Sequence, residues 1–135
     1  MSRSGYSDDY DETVNLWRGT VARAIRGKRG QALLREMAEA LDAMPKKILI
    51  ANDLQRNGDV CAIGSVGKRR GIDMSSLDPE EPQEVADAFG VARAMVQEIA
   101  YVNDEMGPWD HAETPAERWA RVRAWVAANI KEPRP

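Results

Sequence analysis

The sequence holds one cysteine, Cys61, one histidine, His111, and one phenylalanine, and aromatic residues make up only 6% of it. A single cysteine excludes an intramolecular disulfide and any Cys-rich zinc site, and it favours a reducing compartment. A single histidine excludes every centre built on two, the His-Glu-x-x-His zinc proteases and two-His iron sites included. No metal or cofactor is therefore expected. No apolar run approaches the ~18 residues that cross a bilayer, and the start, MSRSGYSDDYDE, is acidic and polar rather than basic and then apolar. The expected location is the cytoplasm of the cell that makes the protein, with no membrane partner. Neither sign of charge dominates, since 19 Lys and Arg face 22 Asp and Glu for a net charge of -3. That balance neither demands nor excludes nucleic acid, and it is too small for whole-molecule mimicry of DNA.

What is present is a helical period. The 135 residues, 43% apolar and 30% charged, fit one domain over 1–135, with frayed ends at about 1–9 and 131–135. Val14, Trp17, Val21 and Ile25 recur at i, i+3, i+7 and i+11, which predicts a helix from about Asp11 to Arg26. Gly27-Lys28-Arg29-Gly30 reads as a break. A second helix follows on Leu33, Leu34, Met37, Ala38, Leu41 and Met44, and Pro45 closes it. The stretch from Ile48 to Ile63 reads two ways. Asn57-Gly58 between apolar runs is a hairpin signal, whereas Asp59 can cap a helix that ends at Gly71. The second way, with a short helix or turn at Ile48-Leu49-Ile50, is the expectation. In that helix Gly64 and Gly67 share a face that another backbone can approach. Further helices are predicted over Gln83–Phe89, from Val91 to Asn103-Asp104, and after the capping box Thr114-Pro115-Ala116-Glu117. The fold class is all-α, a compact bundle of five or six helices with room for one short β-hairpin.

Residues 83–100 have the spacing of a helix-turn-helix, with Ala86, Val91, Val96 and Ile99 packing two helices across a turn at Gly90. Arg93 and Gln97 would be its DNA-reading side chains. Glu84, Asp87 and Glu98 stand beside them and repel phosphate, so a structural helix pair competes with a DNA-binding regulator. The basic residues cluster elsewhere. Arg18, Arg23, Arg26, Lys28, Arg29 and Arg35 run with no acid between them, and Lys68, Arg69 and Arg70 form a second group. A groove holding both groups would bind phosphate or an acidic protein surface; a solvated helix face is the plain alternative. The acidic run Asp8, Asp9, Asp11 and Glu12 would instead imitate phosphates towards a basic channel.

Cys61, two residues after the expected cap, would feel the dipole of its helix, and Asn103, Asp104 and His111 are the residues that could partner it as a nucleophile. A small buried cysteine facing the glycine contact is the commoner outcome. Among the four tryptophans, Trp17 and Trp119 lie on apolar stripes. Trp125 falls about a quarter turn off its line, where it would face a partner or a symmetric second copy, and Trp109 lies in a loop beside Pro108.

Three segments taken in order carry a family resemblance: Gly58-Asp59-Val60-Cys61-Ala62-Ile63-Gly64-Ser65-Val66, Ile99-Ala100-Tyr101-Val102-Asn103-Asp104-Glu105, and Thr114-Pro115-Ala116-Glu117-Arg118-Trp119. The order resembles a group of small phage and prophage proteins with a Cys-x-Leu-Gly motif, an apolar helix ending in Asn-Asp, and a closing amphipathic helix. Here Ile63 stands where leucine is usual. The resemblance spans about residues 14 to 130 and implies action inside an infected cell, with no reaction attached. Cys61 and Gly64 then read as close helix packing and Asn103-Asp104 as a helix cap. The function expected is a non-enzymatic binding protein that inhibits a host process, first of all a bacterial defence system such as CRISPR-Cas, by engaging a protein or ribonucleoprotein complex. A small nucleotide held at the glycine-lined helix junction, and DNA read by residues 83–100, are the alternatives.

Overall fold

The computed structural model describes residues 3–5 and 13–131, and in the first helix its side chains from Trp17 onward. The expectations for Val14, for the acidic run from Asp8 to Glu12 and for residues 132–135 lie outside the described residues.

Six helices and one small hairpin follow in the order α1 (Thr13–Arg26), α2 (Lys28–Ala43), β1 (Gln55–Arg56), β2 (Asp59–Val60), α3 (Ala62–Arg70), α4 (Pro82–Phe89), α5 (Arg93–Glu105) and α6 (Pro115–Asn129). A short 3-10 turn at Met74–Ser76 separates α3 from α4. The chain is thus an all-α bundle with a short hairpin. The stripe Leu33, Leu34, Met37 and Leu41 places α2 at the centre, where α1, α3 and α6 pack against it. Opposite stand Met95, Ile99 and Val102 of α5 and Val122 and Val126 of α6, all buried. Thr114 and Glu117 close their capping box, each side chain accepting from the other's backbone N–H at 3.1 and 3.0 Å.

Three boundaries differ from expectation. The break after α1 is Gly27 alone, and Gly30 lies inside α2. Its missing side chain is what permits the tight corner, because a Cβ on Gly30 would stand 2.0 Å from the carbonyl oxygen of Ala24. Asp59 is no helix cap. Asn57 and Gly58 adopt positive φ (53° and 86°), the two-residue hairpin turn that matches strand twist, and Arg56 pairs with Asp59. The cap of α3 is Cys61, whose Sγ accepts from the backbone N–H of Gly64 at 3.4 Å. Ile48-Leu49-Ile50 forms no helix or turn: the N–H groups of Leu49 and Ile50 donate to the carbonyls of Pro115 (3.1 Å) and Val60 (3.0 Å). The hairpin signal outweighed the cap because it satisfies backbone groups on both sides of it.

Where the ends are described, they contact the rest of the fold. Arg3 and Ser4 are buried, and at the other end the N–H of Lys131 donates to Gln31 Oε1 at 2.8 Å.

Gly30→Ala and Gly64→Ala each drive a methyl group into a backbone carbonyl, the second at 2.1 Å from Leu54 O. Each is expected to lower stability by about 2–3 kcal/mol, the upper part of the overpacking range, in urea unfolding. Gly58→Ala, with open space at the Cβ position but a positive φ, should cost less.

Candidate functional site

Asn103 and Asp104, two of the residues that could partner Cys61 as a nucleophile, lie next to it and bond across the fold. Asn103, fully buried, accepts from the N–H of Ala62 through Oδ1 (3.0 Å) and donates through Nδ2 to Ile50 O (2.9 Å) and Asp104 Oδ1 (2.8 Å). Asp104 receives Arg3 in a two-pronged pair (2.5 and 2.8 Å) and the N–H of Asn52 at 3.1 Å. Asn103 and Asp104 therefore do not end their own helix, which runs on to Glu105. They tie it to α3, to the extended segment before the hairpin and to residue 3. Arg3 also donates to Cys61 Sγ at 3.5 Å, and the thiol is buried. His111, the other proposed partner, uses its ring nitrogens on Asp110 (2.9 Å) and Glu117 (3.0 Å). Among the described residues no group of three His, Cys, Asp or Glu side chains is gathered as a metal would require.

Burial raises the Asp104 carboxyl, but the hydrogen bonds and charge of Arg3, with Asn103 and the Asn52 N–H, hold it below the ordinary carboxylate range. A lowered carboxyl contributes stability at pH values above its unfolded pKa, and that contribution is lost as pH falls through the folded value. Asp104→Asn should therefore destabilise the protein at pH 7 and remove part of the acid loss that the parent shows below about pH 4. Urea midpoints across pH 2.5–7 (about five points) would show it, and the Arg3→Ala, Asp104→Asn double-mutant cycle should give a coupling of about 1–3 kcal/mol.

Residues 83–100 do form two helices across Gly90, which takes the left-handed conformation at φ 69°. Arg93 is exposed, but Gln97 is only 7% exposed and its Nε2 donates to Ser4 O at 3.1 Å. Half of the expected DNA-reading pair is thus turned into the fold, because α5 is covered by α1 as well as α3, α4 and α6. The glycine-lined junction proposed for a nucleotide is filled, by Leu54 O at Gly64 and by the side chains of Met74 and Phe89 at Gly67.

Among the described residues, the two basic groups line separate cavities. At the N-terminal end of α2 a cavity of about 230 Å³ is lined by Arg23, Lys28 and Arg29 together with Ala92 and Met95. At its C-terminal end a second cavity, of about 270 Å³, has Lys46, Lys68 and Arg69 at its wall. The 16 residues of α2 keep them about 24 Å apart at 1.5 Å per residue. Arg70 joins neither. It pairs with Glu36 at 2.7 Å, donates to Phe89 O at 3.1 Å and lies over the Phe89 ring, which is a structural role. Arg18 faces Glu98 at 3.7 Å, and Arg29 reaches Gly90 O at 3.5 Å. Arg26, Lys28 and Arg69 are exposed and have no hydrogen-bond or ion-pair partner among the described residues. Lys46 was missed by sequence reasoning; its place after Pro45 carries no signal that it will meet α3.

Among the described residues the exposed large hydrophobic side chains are Trp109, at 97% exposure, and Met106, three residues before it. Trp125 is half-buried and packs against the core. The apolar seam of α6 is wide enough to take it in.

Around Trp109 the loop is fastened by His111. Its hydrogen bonds to Glu117 and Asp110 raise the imidazole above its usual value, while the Thr114 N–H and His111 bring Glu117 down to about 2. A raised histidine stabilises below its unfolded pKa near 6.5, and the effect is lost as pH rises through the folded value. In an NMR titration His111 should ionise above the ordinary imidazole range, and Glu117→Gln should lower it, with Asp110 left to hold part of the shift.

Compared with protein-family models, with curated proteins and with solved structures, the chain matches none.

Proposed function

We propose that the chain is a non-enzymatic binding protein that engages an acidic protein surface through the two basic cavities flanking α2. The setting we propose is the one the sequence resemblance implies, inhibition of a host process such as a bacterial defence complex. One observation carries the reading. In a chain with more acids than bases, the charged residues lining the two cavities are Arg23, Lys28, Arg29, Lys46, Lys68 and Arg69 against the single acid Asp59. Paired charges of opposite sign steer two proteins together and set their register. A protein partner is favoured over nucleic acid on two grounds. The cavity that holds Lys68 and Arg69 has an apolar floor, which suits side chains better than sugar and phosphate. A net charge of -3 also opposes approach to a densely charged polyanion more strongly than approach to a protein with a local acidic patch.

The test is native mass spectrometry of the tagged protein drawn from a bacterial host, at low and high salt. The expected result is a stoichiometric complex with an acidic protein that weakens with salt. Lys28→Glu and Arg69→Glu together, one in each cavity, should abolish it while circular dichroism stays unchanged, since neither side chain makes a hydrogen bond or ion pair among the described residues. A complex that survives the double reversal, or a nucleic acid in place of the protein, overturns the reading.

A further inference from the structure

We infer that the cavity at the C-terminal end of α2 is a binding site for a small amphipathic anion, one aromatic ring or short alkyl chain bearing a single negatively charged head group. The floor is apolar. Ala40, Ala43 and Met44 end α2, Pro45 and Ile48 follow in the loop, and Val60 closes the far side from β2. These residues come from segments held by hydrogen bonds of their own: Val60 O accepts from the Ile50 N–H at 3.0 Å, and Ser65, also in the wall, donates its hydroxyl to Ala62 O at 2.6 Å. The polar atoms of the wall are thus largely satisfied, and the interior is left apolar.

The rim is cationic. Lys68 and Arg69 leave the last turn of α3, and Lys46 stands opposite after Pro45. The one acid present, Asp59, is faced by Lys46 at 3.7 Å, and Lys68 Nζ donates to Gly58 O at 3.2 Å. Arg69 lies near enough to Glu36 to feel its charge but makes no hydrogen bond or ion pair among the described residues, so its guanidinium N–H groups are available for two parallel hydrogen bonds to a carboxylate or phosphate.

Size decides what fits. A dry cavity of about 150 Å³ takes benzene, and drug-sized ligands occupy about 300–1,000 Å³. The 270 Å³ here lies between them, which matches a ring or short chain with its head group. An apolar body is needed because a bare anion would leave the floor wet, and a charged head because the rim otherwise faces three cations and one carboxylate. The inference stands apart from the acidic-protein reading although Lys68 and Arg69 serve both. A free small anion can bind whether or not a protein partner is found.

The experiment is a nitrogen-15 chemical-shift titration of the full chain with benzoate, with benzyl alcohol as its neutral counterpart and with acetate as the head group alone. Benzoate is expected to shift amides of residues 43–48, 58–60 and 65–69 and to bind at least about tenfold more tightly than either other probe. Lys68→Gln with Arg69→Gln should weaken benzoate by about tenfold and leave benzyl alcohol unchanged. Ala43→Leu, an exposed helical position that tolerates leucine, should fill the space and weaken both. Equal affinity for benzoate and benzyl alcohol, equal affinity for benzoate and acetate, or shifts confined to other residues would each overturn the inference. Those readouts use no macromolecule, so a failed pull-down from the host does not touch them.

Discussion

A single buried amide organises the side of the molecule that holds Cys61. Asn103 has no access to water, so both ends of its side chain must be answered by protein. They are answered by the first N–H of α3, by the carbonyl of Ile50 and by Asp104, which in turn receives Arg3 and the Asn52 N–H. An apolar residue at 103 would orphan the Ala62 donor and the Ile50 acceptor together. The low local dielectric that makes each bond strong also makes each loss expensive. The hairpin, the start of α3 and residues 3–5 are therefore placed relative to α5 by polar contacts. The apolar stripe of α2 supplies the burial but has no such directional demand.

The distribution of charge follows from how the helices meet. Acids are drawn into pairs with arginines from other parts of the chain: Glu36 with Arg70, Asp42 with Arg123, and Glu113, in the loop before α6, with Arg121. Each pair lowers its carboxyl by a hydrogen bond from the arginine. The cations at the two ends of α2 have few such neighbours. An acidic chain thus presents locally basic concavities, a property of arrangement and not of composition.

Much of the helical plan was legible because its signals are local. The capping box at Thr114, the Gly90 and Gly71 terminators and the stripe on α2 each sit within a few residues, and the helices appear where these signals put them. The choice between hairpin and capped helix at 57–61 was not local. Asn57-Gly58 and Asp59 were both valid, and the decision came from Leu54 O and Val60 O finding donors across the turn. The basic cluster was visible as composition, but its division into two cavities depends on where α3 lies along α2, and no spacing encodes that. The helix-turn-helix spacing puts Gln97 beside Arg93 as a groove-reading side chain. Burial under Ser4 comes from a segment 93 residues earlier.

The Arg3 to Asp104 pair joins residues 101 positions apart. During synthesis the arginine leaves the ribosome long before its carboxylate exists, so the thiol of Cys61 emerges and folds beside an anchor point that is still missing. The cluster can close only after α5 has been made, which puts its formation among the late, high-contact-order events of folding. Until then Cys61 belongs to a chain whose protective cover has not arrived, and the interval of greatest exposure for the thiol is its birth rather than its working life.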